Sequence, residues 1–127
     1  KPNLVMQSLV SLLMMKGINV YVVTASNNIS AELICWRYFG IPSSHVFGAE
    51  VAIKRNKIIS DKITEIPYAE GKVNVLMKKF SHKPIITGGD GQWDKYLLDH
   101  TGTNGIRLWL GTNNDEFDKM KKQHYPS

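Results

Sequence analysis

The chain has 127 residues, of which 43% are hydrophobic and 21% are charged, with a net charge of +5. This length suits one modest domain, and this composition excludes an intrinsically disordered segment. The longest apolar run, residues 9–15, is interrupted by Ser11 and is too short to cross a bilayer, so no membrane partner is predicted. The basic residues are scattered and not interleaved with aromatic residues, which argues against a nucleic-acid partner.

Cysteine use and the first residue bear on localisation. Cys35 is the only cysteine, so no internal disulfide can form, which favours a reducing compartment such as the cytoplasm. Its position in the apolar segment 33–36 predicts a buried core residue rather than a nucleophile. Because the chain begins with Lys1 and not Met, we expect translation to begin upstream.

The first part of the chain predicts a helix, a strand and a second helix. Apolar residues recur at helical spacing over residues 4–16, and Gly17 follows where that helix would end. Residues 18–24 are a β-branched run too short for a helix, which predicts a strand buried on both faces. A second helix is predicted over about residues 29–39, with a cap among residues 26–28 and a glycine at its end.

The middle of the chain predicts a β-hairpin and a third helix. Residues 46–53 and 58–59 have the pattern of two strands, joined across residues 54–57. A polar connection follows over residues 61–70. A helix then begins near Gly71, and one of its faces carries the apolar residues Val73, Leu76, Met77 and Phe80.

The last part predicts two further strands and two further helices. Residues 84–87 form a short apolar strand, which a Gly-Gly-Asp-Gly turn follows at once. Residues 93–100 predict a helix, and residues 106–110 predict the next strand. A last helix is predicted after Asn113 or Asn114, with Glu116, Phe117 and Met120.

Outside the hairpin, strands and helices alternate, which predicts an α/β fold with a mainly parallel sheet and helices on both faces. Ligands of such sheets lie beyond the carboxyl ends of the strands. Two polar loops that follow apolar strands therefore stand out, at residues 24–26 and 88–94. A hydroxyl such as that of Thr24, beside the N–H groups of a helix start, can bind a phosphate oxygen, or it can simply cap the helix.

Two acids and a lysine complete the candidate residues. Asp90 and Asp94 straddle a glycine-bearing turn. A carboxylate at the end of a strand is a good ligand for Mg²⁺, although a turn and a helix cap also use aspartate. Lys72 follows Gly71 in the first turn of the third helix and by itself is an ordinary surface lysine.

Taken in order, these residues resemble the motifs of the haloacid dehalogenase superfamily. Thr24 matches the second motif, Lys72 the third, and Asp90 and Asp94 the two acids of the fourth. The hairpin is similar to that of the phosphoserine-phosphatase-like branch, which includes phosphocholine phosphatases. The resemblance covers about residues 4–110 and implies a Rossmann-like three-layer sandwich.

The resemblance also implies a segment that these residues do not contain. The family's first motif is Asp-x-Asp-x-Thr or Val, and no aspartate in this chain is followed by another two positions later. In the family fold, the strand with that motif lies in the centre of the sheet, between the strands that end at Thr24 and Thr87. We therefore expect residues 1–127 to be the C-terminal part of a core domain that does not fold cooperatively alone. The nucleophile-bearing strand and the cap would come from another fragment, another chain or a precursor.

What the resemblance implies for function is hydrolysis of a small phosphomonoester, with Mg²⁺ and an aspartyl-phosphate intermediate. Thr24, the Ala25 backbone N–H and Lys72 would bind the phosphate. Asp90 and Asp94 would be metal ligands, and Asp94 would also hold Lys72 or a metal-bound water. The alternative is a non-catalytic Rossmann-like module that binds a phosphorylated ligand or a protein. The histidines have no metal-ligand spacing, and Trp93 either lines the site or packs on the helix behind it.

Overall fold

The computed structural model describes residues 2–50, 52–54, 57–59, 67–112, 115, 118 and 119. The protein is mixed α/β, and its strands pair in two-stranded sheets. It divides into two compact units, Lys1–Pro67 and Tyr68–Ser127, which are described in turn. Within the described part of the chain, no helix is long and apolar enough to cross a membrane.

The first unit begins with two helices and the strand between them. Helix α1 spans Leu4–Met15, and the side chain of Asn3 caps it by accepting hydrogen bonds from the Val5 and Met6 backbone nitrogens. Strand β1 spans Val22–Asn27, and helix α2 spans Asn28–Phe39. As the sequence predicts, α2 has an amino-terminal cap, Asn27, and ends at Gly40, whose φ of 67° suits glycine.

Strand β2, Val46–Ala49, pairs with β1 in parallel after a short 3₁₀ turn, Ser43–His45. The core of this unit consists of residues from α1, α2, β2 and the α2–β2 connection, namely Val10, Ala31, Cys35, Ile41 and Val46. The prediction that Cys35 is a buried core residue is confirmed.

Two expectations about these strands were wrong. The predicted strand over residues 18–24 begins later and runs on to Asn27, and its valines, Val22 and Val23, are only half-buried. They lie in a sheet of two strands, which cannot bury a strand as a wide sheet would. The predicted strand over residues 46–53 is two strands. Its first part is β2, which pairs with β1 and not with the hairpin. The sequence did not predict this pairing, because an apolar run does not show which strand will lie beside it.

The hairpin itself is confirmed in its shorter form. Strand β3, Ala52–Lys54, pairs antiparallel with strand β4, Lys57–Ile59. The register places Ala52 opposite Ile59 and Lys54 opposite Lys57. The two central turn residues lie outside the described residues.

Helix α1 presents an apolar face to solvent. The helix has no charged side chain. Four of its five exposed apolar residues lie within about 100° of the helix circumference and so share one face. They are Leu4, Val5, Leu12 and Met15. Met15 is 82% exposed, which is unusual for so apolar a side chain.

Two helices and a parallel strand pair are the regular elements that the structure bounds among the described residues of the second unit. Helix α3 spans Glu70–Lys79, strand β5 spans Ile86–Gly89, helix α4 spans Lys95–Asp99 and strand β6 spans Ile106–Trp109. Strands β5 and β6 pair in parallel. The buried residues that position these elements are Leu76 on α3, Leu98 on α4, and Thr87 on β5, whose hydroxyl hydrogen-bonds that of Thr101 at 2.6 Å.

Three boundaries or faces differ from the sequence predictions for this unit. Met77 is exposed, so the apolar face of α3 is narrower than its spacing suggests. The strand predicted over residues 84–87 is displaced to Ile86–Gly89, because the Pro84 carbonyl instead accepts a hydrogen bond from the Gly102 backbone nitrogen. The helix predicted from Trp93 begins as a 3₁₀ turn over Gln92–Asp94. The predicted last helix lies largely outside the described residues.

Candidate functional site

The clearest polar arrangement in the second unit joins Lys72 to Asp94. Lys72 lies in the first turn of α3, and Asp94 ends the 3₁₀ turn that follows β5. The Lys72 ammonium donates a hydrogen bond to Asp94 Oδ1 and forms an ion pair with it. The two side chains are only 15% and 9% exposed, so solvent screens their attraction less than it screens a surface pair. The sequence places these residues 22 positions apart, and the fold brings them into contact.

Asp94 also organises the turn that contains Asp90. Its second carboxylate oxygen, Oδ2, accepts hydrogen bonds from the Asp90 backbone nitrogen at 3.0 Å and from the Gly91 backbone nitrogen at 3.4 Å. The Asp94 backbone nitrogen donates in return to the Gly91 carbonyl at 2.9 Å. Both oxygens of Asp94 are therefore engaged, one by a lysine and the other by the turn.

Gly89 makes this close packing possible. A Cβ atom at this position would lie 2.4 Å from Asp94 Cβ and 2.8 Å from Asp94 Oδ2, closer than real side chains approach. The two glycines before Asp90 are visible in the sequence, but the contact of Gly89 with the side chain of Asp94 is not. The sequence predictions place Gly89 in the turn but do not include this packing role.

Asp90 is the residue of this turn whose carboxylate is open to a ligand. Its side chain is exposed, while its backbone nitrogen is fixed by Asp94. A carboxylate of this kind suits a hard cation such as Mg²⁺. The described residues contain no group of three or more histidine, cysteine or acidic side chains that could hold a metal by themselves. Asp90 fits as one ligand of a magnesium ion. The metal role predicted for Asp94 stays a prediction, since both of its oxygens already accept hydrogen bonds within this arrangement.

Thr24 and Ala25 lie in the first unit, where the β1 ladder is irregular. β1 pairs with β2 at Val22, Val23 and Asn27, and the register shifts between the last two. In this interval the Thr24 hydroxyl oxygen accepts a hydrogen bond from the Ser26 backbone nitrogen at 3.2 Å. The strand therefore runs beyond Thr24 through this irregular interval, in which Ala25 is exposed.

Gly48 on β2 lets the backbone at the junction of β1 and α2 pass close to β2. A Cβ atom there would lie 2.7 Å from Asn28 Cα and 2.8 Å from the Ser26 carbonyl oxygen. Both are backbone atoms, which a side-chain rotation cannot move away. Nothing in the local sequence marks Gly48 as a spacer, because the contact is formed by the fold.

The aromatic and imidazole groups contribute less to either arrangement. Trp93 is half-exposed, and its ring lies 5.4 Å from that of Tyr68 at an angle of 38°. This contact links the residue before Asp94 to the segment that leads into α3. His45 stacks on Tyr21 and hydrogen-bonds the Val20 carbonyl, so its role in the first unit is packing.

No protein-family model matches the chain, and a comparison with curated proteins finds no match. The geometry of the residues themselves is therefore the basis for a functional assignment. In the second unit it brings Lys72, Asp90 and Asp94 together, and in the first it places Thr24 and Ala25 in the irregular interval of β1.

Proposed function

We propose that this chain is part of a magnesium-dependent phosphatase of the haloacid dehalogenase type, with a Rossmann-like three-layer core. The observation that carries the proposal is the arrangement around Asp94. One carboxylate oxygen holds a helix-start lysine, and the other holds the turn of a strand-end aspartate. Phosphoryl transfer depends mainly on positioned charge, which this arrangement supplies.

Each residue of the second unit has a distinct role in the proposal. Lys72 neutralises negative charge on the transferring phosphoryl group and on the attacking carboxylate. Asp94 fixes the position of the lysine, and Asp90 is a ligand for Mg²⁺. When bound, the magnesium ion draws electron density from a phosphate oxygen and helps to orient the ester. The position of Asp90 is then as important as its charge, because its carboxylate must bind the same ion as the other protein ligands.

The irregular interval of β1 supplies the phosphate contacts in this proposal. The Thr24 hydroxyl and the Ala25 backbone N–H are the proposed donors to a phosphoryl oxygen. Thr24 already accepts a hydrogen bond from the Ser26 nitrogen, so its own proton remains available to donate.

The nucleophile in this proposal is an aspartate outside residues 1–127, because no Asp-x-Asp occurs within them. The segment that carries it would belong to the same protein, as part of a longer chain or as a separate fragment. Within the described residues β1 pairs only with β2, and β5 only with β6, so β1 and β5 each have one edge with no neighbouring strand among those residues. A strand added at such an edge would pair with it through backbone hydrogen bonds.

The first experiment is intact-mass spectrometry of the purified, folded protein under denaturing conditions. A second peptide, or a longer chain that contains Asp-x-Asp-x-Thr or Val, supports the proposal. A single species of 14.4 kDa that hydrolyses no phosphomonoester contradicts it.

The second experiment replaces the proposed metal ligand in the complete protein. Asp90→Asn keeps the size of the side chain but weakens its affinity for Mg²⁺, so most magnesium-dependent hydrolysis of a small phosphomonoester should be lost. Asp118→Asn is the control, since Asp118 is an exposed carboxylate of the same unit with no role in the proposal. Equal activity in the two variants would remove Asp90 from the metal site.

The second candidate is a non-catalytic module that binds a phosphorylated ligand or a protein. The absence of an Asp-x-Asp within these residues favours it. Calorimetry with inorganic phosphate separates the candidates. Binding of phosphate by a protein that shows no turnover with any phosphomonoester supports the module, whereas turnover supports the phosphatase.

A further inference from the structure

Gly111, two residues beyond the end of β6, lies against the backbone of the Asp90 turn. A Cβ atom at this position would be 2.4 Å from the Asp90 carbonyl oxygen and 2.7 Å from the nearest atom of the Trp109 indole ring. Ordinary contact of a Cβ atom begins at 3.4 Å. A side chain here would therefore require the Asp90 carbonyl or Gly111 itself to move by about 1.0 Å, the difference between 3.4 and 2.4 Å.

The reason for glycine at this position is space and not backbone conformation. Among the described glycines, only Gly17 and Gly40 have positive φ, so Gly111 adopts a conformation that alanine can adopt as well. A methyl group at this position would press on the carbonyl of Asp90. The indole ring of Trp109 borders the same space, which limits relaxation away from the turn.

The Asp90 turn is therefore held from two sides. The carboxylate of Asp94 binds the backbone nitrogens of Asp90 and Gly91 on one side. On the other side, the Leu110 nitrogen donates to the Gly89 carbonyl at 2.8 Å, and Gly111 lies next to the Asp90 carbonyl. A shift of Gly111 or of its neighbours would be transmitted directly to the backbone that carries the Asp90 carboxylate.

We infer that Gly111 is a positioning residue for Asp90, which sets where its carboxylate meets a divalent cation. This inference rests on the proposed function for the identity of the cation, and on the contacts above for the positioning itself. Groups that orient a metal ligand change the affinity for the metal when they are altered, commonly by about 10- to 100-fold.

The test uses three glycine variants of the complete protein. Gly111→Ala crowds the Asp90 turn. Gly105→Ala is the matched control, because its Cβ would meet Thr101 Cγ2 at 2.4 Å and the Ile85 carbonyl at 2.8 Å, an equal crowding away from that turn. Gly102→Ala is the mild control, because its nearest contact would be the Pro84 carbonyl at 3.5 Å.

Two measurements separate positioning from general destabilisation. In amide NMR spectra, Gly111→Ala should shift the resonances of Asp90 and Gly91 strongly, whereas Gly105→Ala should lower the melting temperature and leave those resonances nearly in place. In activity assays, Gly111→Ala should raise the Mg²⁺ concentration for half-maximal turnover by about 10-fold or more, and neither control should do so.

The outcomes are distinguishable. If Gly111→Ala and Gly105→Ala move the Asp90 and Gly91 amides equally, Gly111 does not position the turn and the inference is wrong. If the amides respond as expected but the wild-type protein shows no magnesium-dependent turnover, the proposed function is wrong and the positioning of the turn stands. If the amides respond and the Mg²⁺ requirement is unchanged, the link between Gly111 and the cation is refuted.

Discussion

The Lys72–Asp94 pair should contribute measurably to stability, and a double-mutant cycle would show by how much. The cycle consists of Lys72→Met, Asp94→Asn and the double variant, each in the complete protein. Asp94→Asn keeps an oxygen for the backbone nitrogens of the turn but replaces the partner of Lys72 with an uncharged amide. If the oxygen stays on the turn, the NH₂ group faces the ammonium, so a donor meets a donor.

The magnitude follows from the burial of the pair. Exposed ion pairs contribute about 0.2–1 kcal/mol, and breaking a fully buried pair costs about 3–5 kcal/mol. With side chains 15% and 9% exposed, this pair lies between these cases. We therefore expect a coupling energy of about 1–3 kcal/mol in the free energy of unfolding, within the range seen for contacting residues.

A further variant separates the ion pair from the turn. Asp94→Ala removes the acceptor for the Asp90 and Gly91 nitrogens as well, so it should be about 1–3 kcal/mol more destabilising than Asp94→Asn. Urea unfolding followed by tryptophan fluorescence measures all four variants. A coupling energy below about 0.5 kcal/mol, or equal stability of the alanine and asparagine variants, would refute the reasoning.

Three further predictions concern individual residues. Gly48→Ala should destabilise the first unit by about 1–3 kcal/mol, because the new methyl group would clash with backbone atoms. Gly40→Ala is the contrasting variant, because an added Cβ atom there would have no neighbour within 4 Å although φ is positive. It should cost less, about 1 kcal/mol. Burial raises the pKa of the Cys35 thiol above 9.0, so alkylation at pH 8 should be much slower in the folded protein than in denaturant, and equal rates would contradict its burial. Burial first, and then the charge of Lys83, lowers the pKa of His100 below 6.5. The unfolded chain therefore takes up this proton at a higher pH than the folded chain does. The free energy of unfolding should accordingly decrease as the pH falls from 6.5 through the lower folded pKa. Lys83→Gln should raise the pKa of His100 in an NMR titration, and a fall would show that the attribution to Lys83 is wrong.

The helices of the first unit could be predicted because their ends have local chemical causes. Asn27 caps α2 through its own side chain, and Gly40 ends it in a conformation that other residues avoid. The strands were harder to predict. Residues 24–27 are polar or small, which suggests a loop, yet they continue β1 because Asn27 returns to the ladder opposite Ala49.

The candidate site likewise has residues that could be predicted from the sequence and contacts that could not. Lys72, Asp90 and Asp94 were predicted from residue type and order, since carboxylates and a lysine near strand ends and helix starts suit a phosphate and a cation. The structure brings them into contact, and their binding roles stay predictions. The contacts of Gly89 and Gly111 could not be predicted, because a glycine's sequence neighbours do not reveal which backbone will pass beside it. The central strand and the presence of Mg²⁺ stay predictions.

The uncharged face of α1 has a consequence for how any contact with it would respond to conditions. The helix has no ionisable side chain, so an association through it would have little dependence on pH and would not be screened by salt. Such an association would be driven by removal of apolar surface from water, which weakens on cooling and is strengthened by sulfate. A complex formed through this face would then dissociate more readily on ice than at room temperature. Such cold lability would indicate that the apolar face of α1 is buried in the complex.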